Sequence, residues 1–228
     1  MSAGDALENI RQRIDAAALR SGRRGEDIRL IAVSKHQPVS AIEKLAACGQ
    51  QDFGENQVQE AVDKIARLCD QSLEWHFIGH LQSNKARHTG SRFSWIHTLD
   101  SLRLARRIAA SAEEAGRTIR LLLQVNVSAD PAKHGIAPGE LFPLVDALLE
   151  ADLDGIHLCG LMTIGRRAAG ESESRTTFSA LRSLLEQCQV RFGTSFSELS
   201  MGMSDDYEWA VEEGATMLRI GKALFGER

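Results

Sequence analysis

Eight short apolar segments, separated by stretches with helical periodicity, constrain the fold of this chain more than any other feature. Each apolar segment has the length of a β-strand, and the stretches between them place apolar residues three or four positions apart. Strands that alternate with helices in this way indicate a parallel sheet. The predicted strands are residues 29–34, 52–54, 75–79, 95–99, 120–127, 155–161, 196–200 and 215–220.

Eight such units favour a closed (β/α)8 TIM barrel within the α/β class. A doubly wound open sheet is the alternative, but eight units without a second domain favour closure. No low-complexity linker and no Pro/Gly-rich break divides the sequence, so we expect one barrel domain over residues 1–228. An additional N-terminal helix, over residues 1–20, precedes the first strand.

Charge and composition argue against two classes of partner. Lys and Arg number 27 against 31 Asp and Glu, so the net charge is −4 and provides no excess of positive charge for phosphate backbones. The sequence also lacks the roughly 20 consecutive apolar residues that span a bilayer, and it lacks the apolar run of a signal peptide. We therefore expect a protein that binds neither nucleic acid nor membranes. We also expect it to be cytoplasmic and monomeric.

The cysteines and histidines do not form the spacings typical of disulfide or metal frameworks. His76 and His80 are four residues apart, but no carboxylate or third histidine stands beside them, and we predict no metal site. The cysteines have no Cys-x-x-Cys pair and are interpreted as reduced and mostly buried. They are Cys48, Cys69, Cys159 and Cys188.

A lysine near the end of the first predicted strand is the first candidate functional residue. Functional groups of (β/α)8 barrels lie at the C-terminal ends of the strands. Lys35 is expected to end the first strand, so that its amine points into the mouth of the barrel. Partial desolvation lowers the pKa of an amine and leaves more of the neutral nucleophile that attacks an aldehyde. The alternative is a surface lysine that reaches solvent.

The ends of the seventh and eighth strands form a candidate anion site. Residues 200–206 (SMGMSDD) and 218–222 (LRIGK) place glycines, hydroxyls and backbone N–H groups just before helices. Barrels commonly hold phosphate at this place. The alternative is that Ser204 or Asp205 only caps a helix.

An amine and a phosphate site on opposite sides of one barrel mouth are what pyridoxal 5'-phosphate (PLP) requires. The amine condenses with the aldehyde, and the phosphate anchors the far side of the ring. Asn56, after the second strand, is a neutral amide suited to the phenolic oxygen of the ring. It is equally suited to open a helix as an Asx-turn residue.

The chain closely resembles the pyridoxal-phosphate homeostasis proteins (the YggS/PROSC family) over nearly its whole length. The number and order of the shared motifs, rather than any one of them, make the resemblance specific. The motifs are residues 32–35 (AVSK), 53–60 (FGENQVQE), 75–85 (WHFIGHLQSNK), 124–126 (QVN), 133–135 (KHG), 160–163 (GLMT), 200–206 (SMGMSDD) and 219–221 (RIG).

This resemblance implies the fold-type III barrel of PLP enzymes such as bacterial alanine racemase. It implies that Lys35 holds PLP as a Schiff base and that Ser204, with backbone groups around Met203 and Gly221, binds the phosphate. Arg219 would face the pyridine nitrogen, where a cation keeps that nitrogen unprotonated and weakens the ring as an electron sink.

One position departs from the family pattern. Lys222 follows the R-I-G triplet, where many relatives have Thr or Ser. A hydroxyl contact to the phosphate is lost there, while the backbone N–H remains and a positive charge is added. One phosphate contact of the family is therefore altered in this chain.

The resemblance also bears on catalysis. Racemisation needs bases on both faces of the bound amino acid, and in racemases of this fold the opposing tyrosine comes from a C-terminal β domain of the partner subunit. We expect that domain to be absent here, and we expect the only tyrosine, Tyr207, to pack within a helix. No catalytic residue is therefore assigned.

The leading hypothesis is a PLP-binding protein that acts in intracellular PLP (vitamin B6) homeostasis, by buffering the cofactor or by delivering it to PLP-dependent apo-enzymes. One alternative is a weak amino-acid racemase that acts through Lys35. The other is an aldolase-like lysine enzyme that uses no cofactor.

Overall fold

The computed structural model describes residues 2–69, 71–166, 168–193 and 196–226, and it confirms the predicted barrel. In this part of the chain, eight parallel strands pair in sequence order and β8 closes the sheet against β1. The strands are β1 Arg29–Val33, β2 Asp52–Glu55, β3 Glu74–Phe77, β4 Trp95–Leu99, β5 Ile119–Gln124, β6 Ile156–Met162, β7 Glu198–Ser200 and β8 Met217–Ile220.

Helices follow most of the strands and cover the outside of the barrel. They are α1 Ala3–Arg20, α2 Val39–Ala47, α3 Val58–Arg67, α4 Leu102–Glu114, α5 Leu141–Glu150, α6 Glu171–Phe192, α7 Tyr207–Glu212 and α8 Lys222–Phe225. Short 3-10 helices at Gly25–Asp27, Ala86–His88 and Pro138–Glu140 complete the described elements.

The end of β1 differs from the prediction. The strand ends at Val33, so Lys35 lies two residues beyond it and does not end it. Ser34 still donates its N–H to the Gly54 carbonyl oxygen at 3.0 Å, but His36 has a φ of 61°. This left-handed residue terminates the extended backbone, and Lys35 therefore lies in the turn that leads to α2.

The N-terminal helix forms as predicted. Its buried stripe includes Leu7, Ile10 and Ile14, and the helix packs against α7 and α8. Ser2 caps the helix by accepting the Asp5 N–H at 3.1 Å. Ion pairs from α1 to α7 add polar contacts at the edge of this interface. Because α7 and α8 follow β7 and β8, α1 supports the part of the barrel where the anion site was predicted.

Tyr207, the first residue of α7, is 2% exposed and belongs to the main hydrophobic core, as expected for a packing residue. The cysteines follow the prediction only in part, because Cys159 and Cys188 are buried while Cys48 and Cys69 are exposed.

The core has two parts. The larger part fills the layer between the barrel and its helices. The smaller part lies inside the barrel and contains Ile31, Trp95, Leu122, Cys159, Met162 and Met217. Barrel interiors are usually filled by branched apolar side chains, but here fully buried His76 and His97 lie beside this inner cluster.

No described helix combines the length with the apolar character that crossing a bilayer requires.

Candidate functional site

A cavity of about 810 Å³ opens at the C-terminal ends of the strands, and all six residues predicted to bind a cofactor line it. They follow or belong to β1, β2, β7 and β8, so only closure of the barrel brings them together. The six residues are Lys35, Asn56, Met203, Ser204, Arg219 and Gly221.

The backbone on both sides of Lys35 is held by a cluster of charged and hydroxyl groups, the Lys64 cluster, which consists of Ser34, Glu55, Glu60 and Lys64. The Lys64 ammonium donates to the Ser34 carbonyl oxygen at 2.6 Å and to one oxygen of each carboxylate at 2.7 Å. The Ser34 hydroxyl donates to Glu55 at 2.6 Å. These bonds connect the residue before Lys35 to β2 and α3.

The residue after Lys35 is held by the same cluster. The His36 N–H donates to Glu60 Oε1 at 2.5 Å, and this bond fixes the left-handed turn. Lys35 itself is half-buried. Its backbone is therefore restrained on both sides while its amine lines the cavity.

Burial and ion pairing have opposite effects on the pKa values of the two carboxylates, Glu55 and Glu60. Burial raises the pKa of Glu55 above its ordinary value, although hydrogen bonds from Lys64 and Ser34 oppose this. For Glu60, which is closer to solvent, burial is outweighed by hydrogen bonds from Lys64 and the His36 N–H, and its pKa is lowered. The Lys64 side chain is only 8% exposed, and the two carboxylates compensate the charge that it buries.

Asn56 follows β2 and presents a polar atom without a partner. Its Oδ1 is buried and accepts no hydrogen bond from the described residues. The backbone of Gly79 packs directly against that of Asn56. Only glycine fits there, because a Cβ at Gly79 would lie 2.1 Å from the Asn56 carbonyl oxygen. Since buried polar atoms are nearly always hydrogen-bonded, this amide is suited to a ligand in the cavity.

Arg219 is the buried cation of the site. Its guanidinium donates to Ser200 Oγ at 2.6 Å and to the Thr163 carbonyl oxygen at 2.8 Å. Burial lowers the pKa of Arg219 to about 10, and the nearby Asp206 opposes this shift. The group therefore keeps its charge at neutral pH and has two fixed acceptors.

The loop after β7 supplies the rest of the predicted anion site. Gly202 has a φ of 90°, and a Cβ there would lie 2.6 Å from the Ala210 Cβ. The Met203 N–H is already engaged, because it donates to Asp206 Oδ1 at 2.6 Å. The Ser204 hydroxyl lies against α8 and accepts the Ala223 N–H at 3.4 Å. Of these groups, the Ser204 hydroxyl keeps a proton to donate toward the cavity.

Several residues that line the cavity were not predicted from the sequence. Thr98, Gln124 and His134 are among them. The positions of Thr98 and Gln124 follow from the strand-end rule, because Thr98 lies near the end of β4 and Gln124 ends β5. His134 stacks on His80 with ring centroids 3.9 Å apart, a contact that no spacing in the sequence indicates.

His76 and His80 belong to different parts of the molecule. His80 lines the cavity, whereas His76 is hydrogen-bonded to His97 and Asp52 inside the barrel. Among the described residues, no group of three or more His, Cys, Asp or Glu side chains is arranged to hold a metal ion.

Comparisons with known proteins agree with this architecture. The alanine racemase N-terminal domain family matches residues 6–228 of the chain. Two curated relatives carry the name pyridoxal phosphate homeostasis protein. The one from Pseudomonas aeruginosa is 42% identical over 97% of this chain and 94% of its own length, and the one from Escherichia coli is 43% identical over 97% and 95%.

Solved structures show the same barrel. PipY from Synechococcus elongatus, determined with PLP bound, is 42% identical with a TM-score of 0.83 and covers 95% of this chain and 100% of its own. Alanine racemase from Clostridium difficile shares the fold. It is 17% identical with a TM-score of 0.74, and the match covers 98% of this chain and 57% of its own. The chain therefore belongs to the alanine racemase N-terminal domain family and, within it, to the pyridoxal phosphate homeostasis proteins.

Proposed function

We propose that this protein binds PLP reversibly in the cavity at the barrel mouth and acts in PLP homeostasis. The observation that carries the proposal is the convergence of Lys35, Asn56, Ser204 and Arg219 on one cavity. Two curated relatives are named for this role, and the related PipY was solved with PLP bound, which supports the proposal.

The groups that line the cavity fit the parts of PLP. A half-buried amine, Lys35, suits an aldehyde, and the unpartnered Asn56 amide suits a phenolic oxygen. The Ser204 hydroxyl and the charge of Lys222 at the same rim suit a phosphate. When bound, PLP supplies an aldehyde for covalent attachment and a ring that accepts electron density.

Each of these residues has a defined task in binding. Lys35 supplies the amine that condenses with the aldehyde, and the Lys64 cluster restrains the backbone that carries it. Arg219 presents donors only, so it favours an unprotonated ring nitrogen. Ser204 and Lys222 hold the phosphate by a hydroxyl hydrogen bond and by charge. The backbone around Met203 and Gly221 shapes this end of the cavity.

The same arrangement favours storage over turnover. A donor-only cation at the ring nitrogen weakens the ring as an electron sink. The only tyrosine of the sequence, Tyr207, is buried in the hydrophobic core and is not among the residues that line the cavity. We therefore propose that the protein buffers PLP in the cytoplasm and releases it to apo-enzymes without catalysing an amino-acid reaction.

The test is borohydride reduction of the PLP-loaded protein, followed by peptide mapping. The expected result is one reduced adduct on Lys35, no adduct at this site in Lys35→Ala, and an unchanged adduct in the control Lys44→Ala, which alters an exposed lysine of α2. An adduct elsewhere with Lys35 unmodified would overturn the assigned site.

A second measurement separates storage from racemisation. The loaded protein is incubated with L-alanine in deuterated water, and the loss of the α-proton is followed by NMR. We expect no exchange above that caused by free PLP. Steady exchange that disappears in Lys35→Ala would instead establish a racemase-like activity.

A further inference from the structure

A chain of hydrogen bonds runs through the barrel behind Arg219. We call it the core relay, and its members are Arg219, Ser200, His97, His76 and Asp52. The bonds are Arg219 Nη1 to Ser200 Oγ at 2.6 Å, Ser200 Oγ to His97 Nδ1 at 2.8 Å, His97 Nε2 to His76 Nδ1 at 3.0 Å, and His76 Nε2 to Asp52 Oδ1 at 3.0 Å.

The core relay connects the two ends of the barrel. Asp52 is the first residue of β2, at the N-terminal end, whereas Arg219 lines the cavity at the C-terminal end. The bond between His97 on β4 and Ser200 on β7 crosses the interior, because β4 pairs with β3 and β5 whereas β7 pairs with β6 and β8. Ser200, His97 and His76 are all fully buried.

The chemistry at its ends fixes the direction of every hydrogen bond in the core relay. Arginine only donates, so the Ser200 hydroxyl accepts from Arg219. Its own proton goes to His97 Nδ1, because the Asp52 carboxylate only accepts and each neutral ring must therefore donate toward it from Nε2. His97 then carries its proton on Nε2 and donates to His76, which donates from Nε2 to the Asp52 carboxylate. The reverse order would place a lone pair of His76 against that carboxylate.

The charges agree with this order. Burial lowers the pKa of His76 and lowers that of His97 well below its ordinary value, so both rings are neutral. Although burial acts to raise it, hydrogen bonds from His76 and Arg29 lower the pKa of Asp52, which is therefore a carboxylate. Three neutral groups, all donating toward the anion, thus lie between a cation and a carboxylate.

This arrangement cannot pass a proton from the cavity to Asp52, because Arg219 retains its protons at neutral pH. It can orient Arg219. Aligned hydrogen bonds polarise one another, so the Asp52 carboxylate strengthens Ser200 as an acceptor. The second acceptor, the Thr163 carbonyl oxygen, belongs to the backbone, and together the two acceptors fix the plane of the guanidinium.

We propose that Ser200, His97 and His76 are positioning residues that fix the Arg219 guanidinium in the cavity and thereby keep the ring nitrogen of bound PLP unprotonated. The second half of this statement rests on the proposed function. The first half is a property of the protein alone and is tested separately.

The first experiment uses ligand-free protein and nitrogen-15 NMR of the histidine and arginine side chains. We expect His76 and His97 to be protonated on Nε2 and the Arg219 Nη protons to be protected from exchange. In Ser200→Ala the protection of the Nη1 protons should be lost, whereas the Nη2 protons keep the Thr163 carbonyl oxygen as their acceptor. The control, Ser111→Ala, removes a hydrogen-bonded hydroxyl of similar burial in α4 and should leave Arg219 unchanged. Protonation of His97 on Nδ1, or unchanged protection in Ser200→Ala, would overturn the core relay.

The second experiment uses PLP labelled with nitrogen-15 in the ring. In Ser200→Ala the ring nitrogen signal should shift toward the protonated value, and Asp52→Asn should give a smaller shift in the same direction. Ser111→Ala and Asp154→Asn, which alters an exposed carboxylate next to the N-terminal end of β6, should cause no shift.

The outcomes separate the two hypotheses. If Asp52→Asn acted only by removing a negative charge, the ring nitrogen of PLP would become less basic and its signal would shift in the opposite direction. That result would contradict positioning through Arg219. If the unsubstituted protein fails to bind labelled PLP, the proposed function fails while the ligand-free measurement still decides the core relay. If Ser200→Ala does not fold, Asp52→Asn, which alters a partly exposed residue, decides the outcome.

Discussion

The two sides of the cavity are supported in different ways. Behind Lys35, the Lys64 cluster places one ammonium between two carboxylates. Behind Arg219, the core relay keeps its charges at its two ends and places only neutral groups between them. Glu60 gives the first cluster access to solvent, whereas the three central groups of the relay have none.

The difference reflects the cost of burying charge. An ion is costly to bury unless an opposite charge and hydrogen bonds compensate it, and α3 brings such a partner, Lys64, to the end of β2. Between the two charged ends of the core relay, the neutral imidazoles and the hydroxyl need hydrogen bonds but no opposite charge. Removal of a charge should therefore destabilise the Lys35 side of the cavity. Protonation of the buried histidines should destabilise the Arg219 side.

The largest effect is expected from removing the central charge of the Lys64 cluster. Lys64→Met keeps most of the side-chain volume but leaves the fully buried Glu55 without its cation. Breaking a buried pair in this way costs about 3–5 kcal/mol, which urea denaturation would measure. The exposed control Lys44→Met should change stability by less than about 0.5 kcal/mol. Equal losses in the two variants would contradict the role of Lys64 in compensating the buried Glu55 carboxylate.

The second effect is a dependence of stability on pH. The pKa values of His76 and His97 are lowered in the fold, so their contribution is present above the ordinary histidine pKa of 6.5 and is lost as the pH falls below it. Each histidine can reduce the unfolding free energy by about 1.4 kcal/mol per pH unit. The raised pKa of Glu55 acts with the opposite sign, because its contribution is lost as the pH rises through the folded-state value.

Urea denaturation between about pH 7.5 and 5.5 tests this prediction, since the window begins just above the unperturbed histidine pKa. His76→Gln should reduce the slope below that of the unsubstituted protein. His88→Gln, which alters an exposed histidine, should leave the slope unchanged. A slope that is the same in all three proteins would show that the buried histidines do not govern acid sensitivity.

The smallest effect is expected at the solvent-facing edge of the Lys64 cluster. In Glu60→Gln the amide oxygen can still accept from Lys64 and from the His36 N–H, and Lys64 keeps Glu55 as its partner. A partly exposed ion pair contributes about 1 kcal/mol or less, so thermal and urea denaturation should show a loss of that size. A loss as large as that of Lys64→Met would place the essential charge at Glu60 rather than at Glu55.

Much of the cavity was predictable because one rule applies to every barrel strand. The strand-end rule placed Lys35 and the residues of the predicted anion site at the cavity, and it extends to Thr98 and Gln124, which were not selected. It misplaced Lys35 by two residues, because the left-handed turn at His36 depends on a contact with Glu60 on α3.

The alternation of apolar segments and helical stretches determined the closed barrel, because each segment must bury both faces and its neighbours in sequence provide the cover. It also placed Lys35, Asn56 and the residues after β7 at the mouth. The core relay was decided only by the tertiary structure, because Asp52, His76, His97 and Ser200 lie on four different strands. Their hydrogen bonds exist only once closure brings β4 and β7 face to face across the interior, and no local spacing encodes that contact.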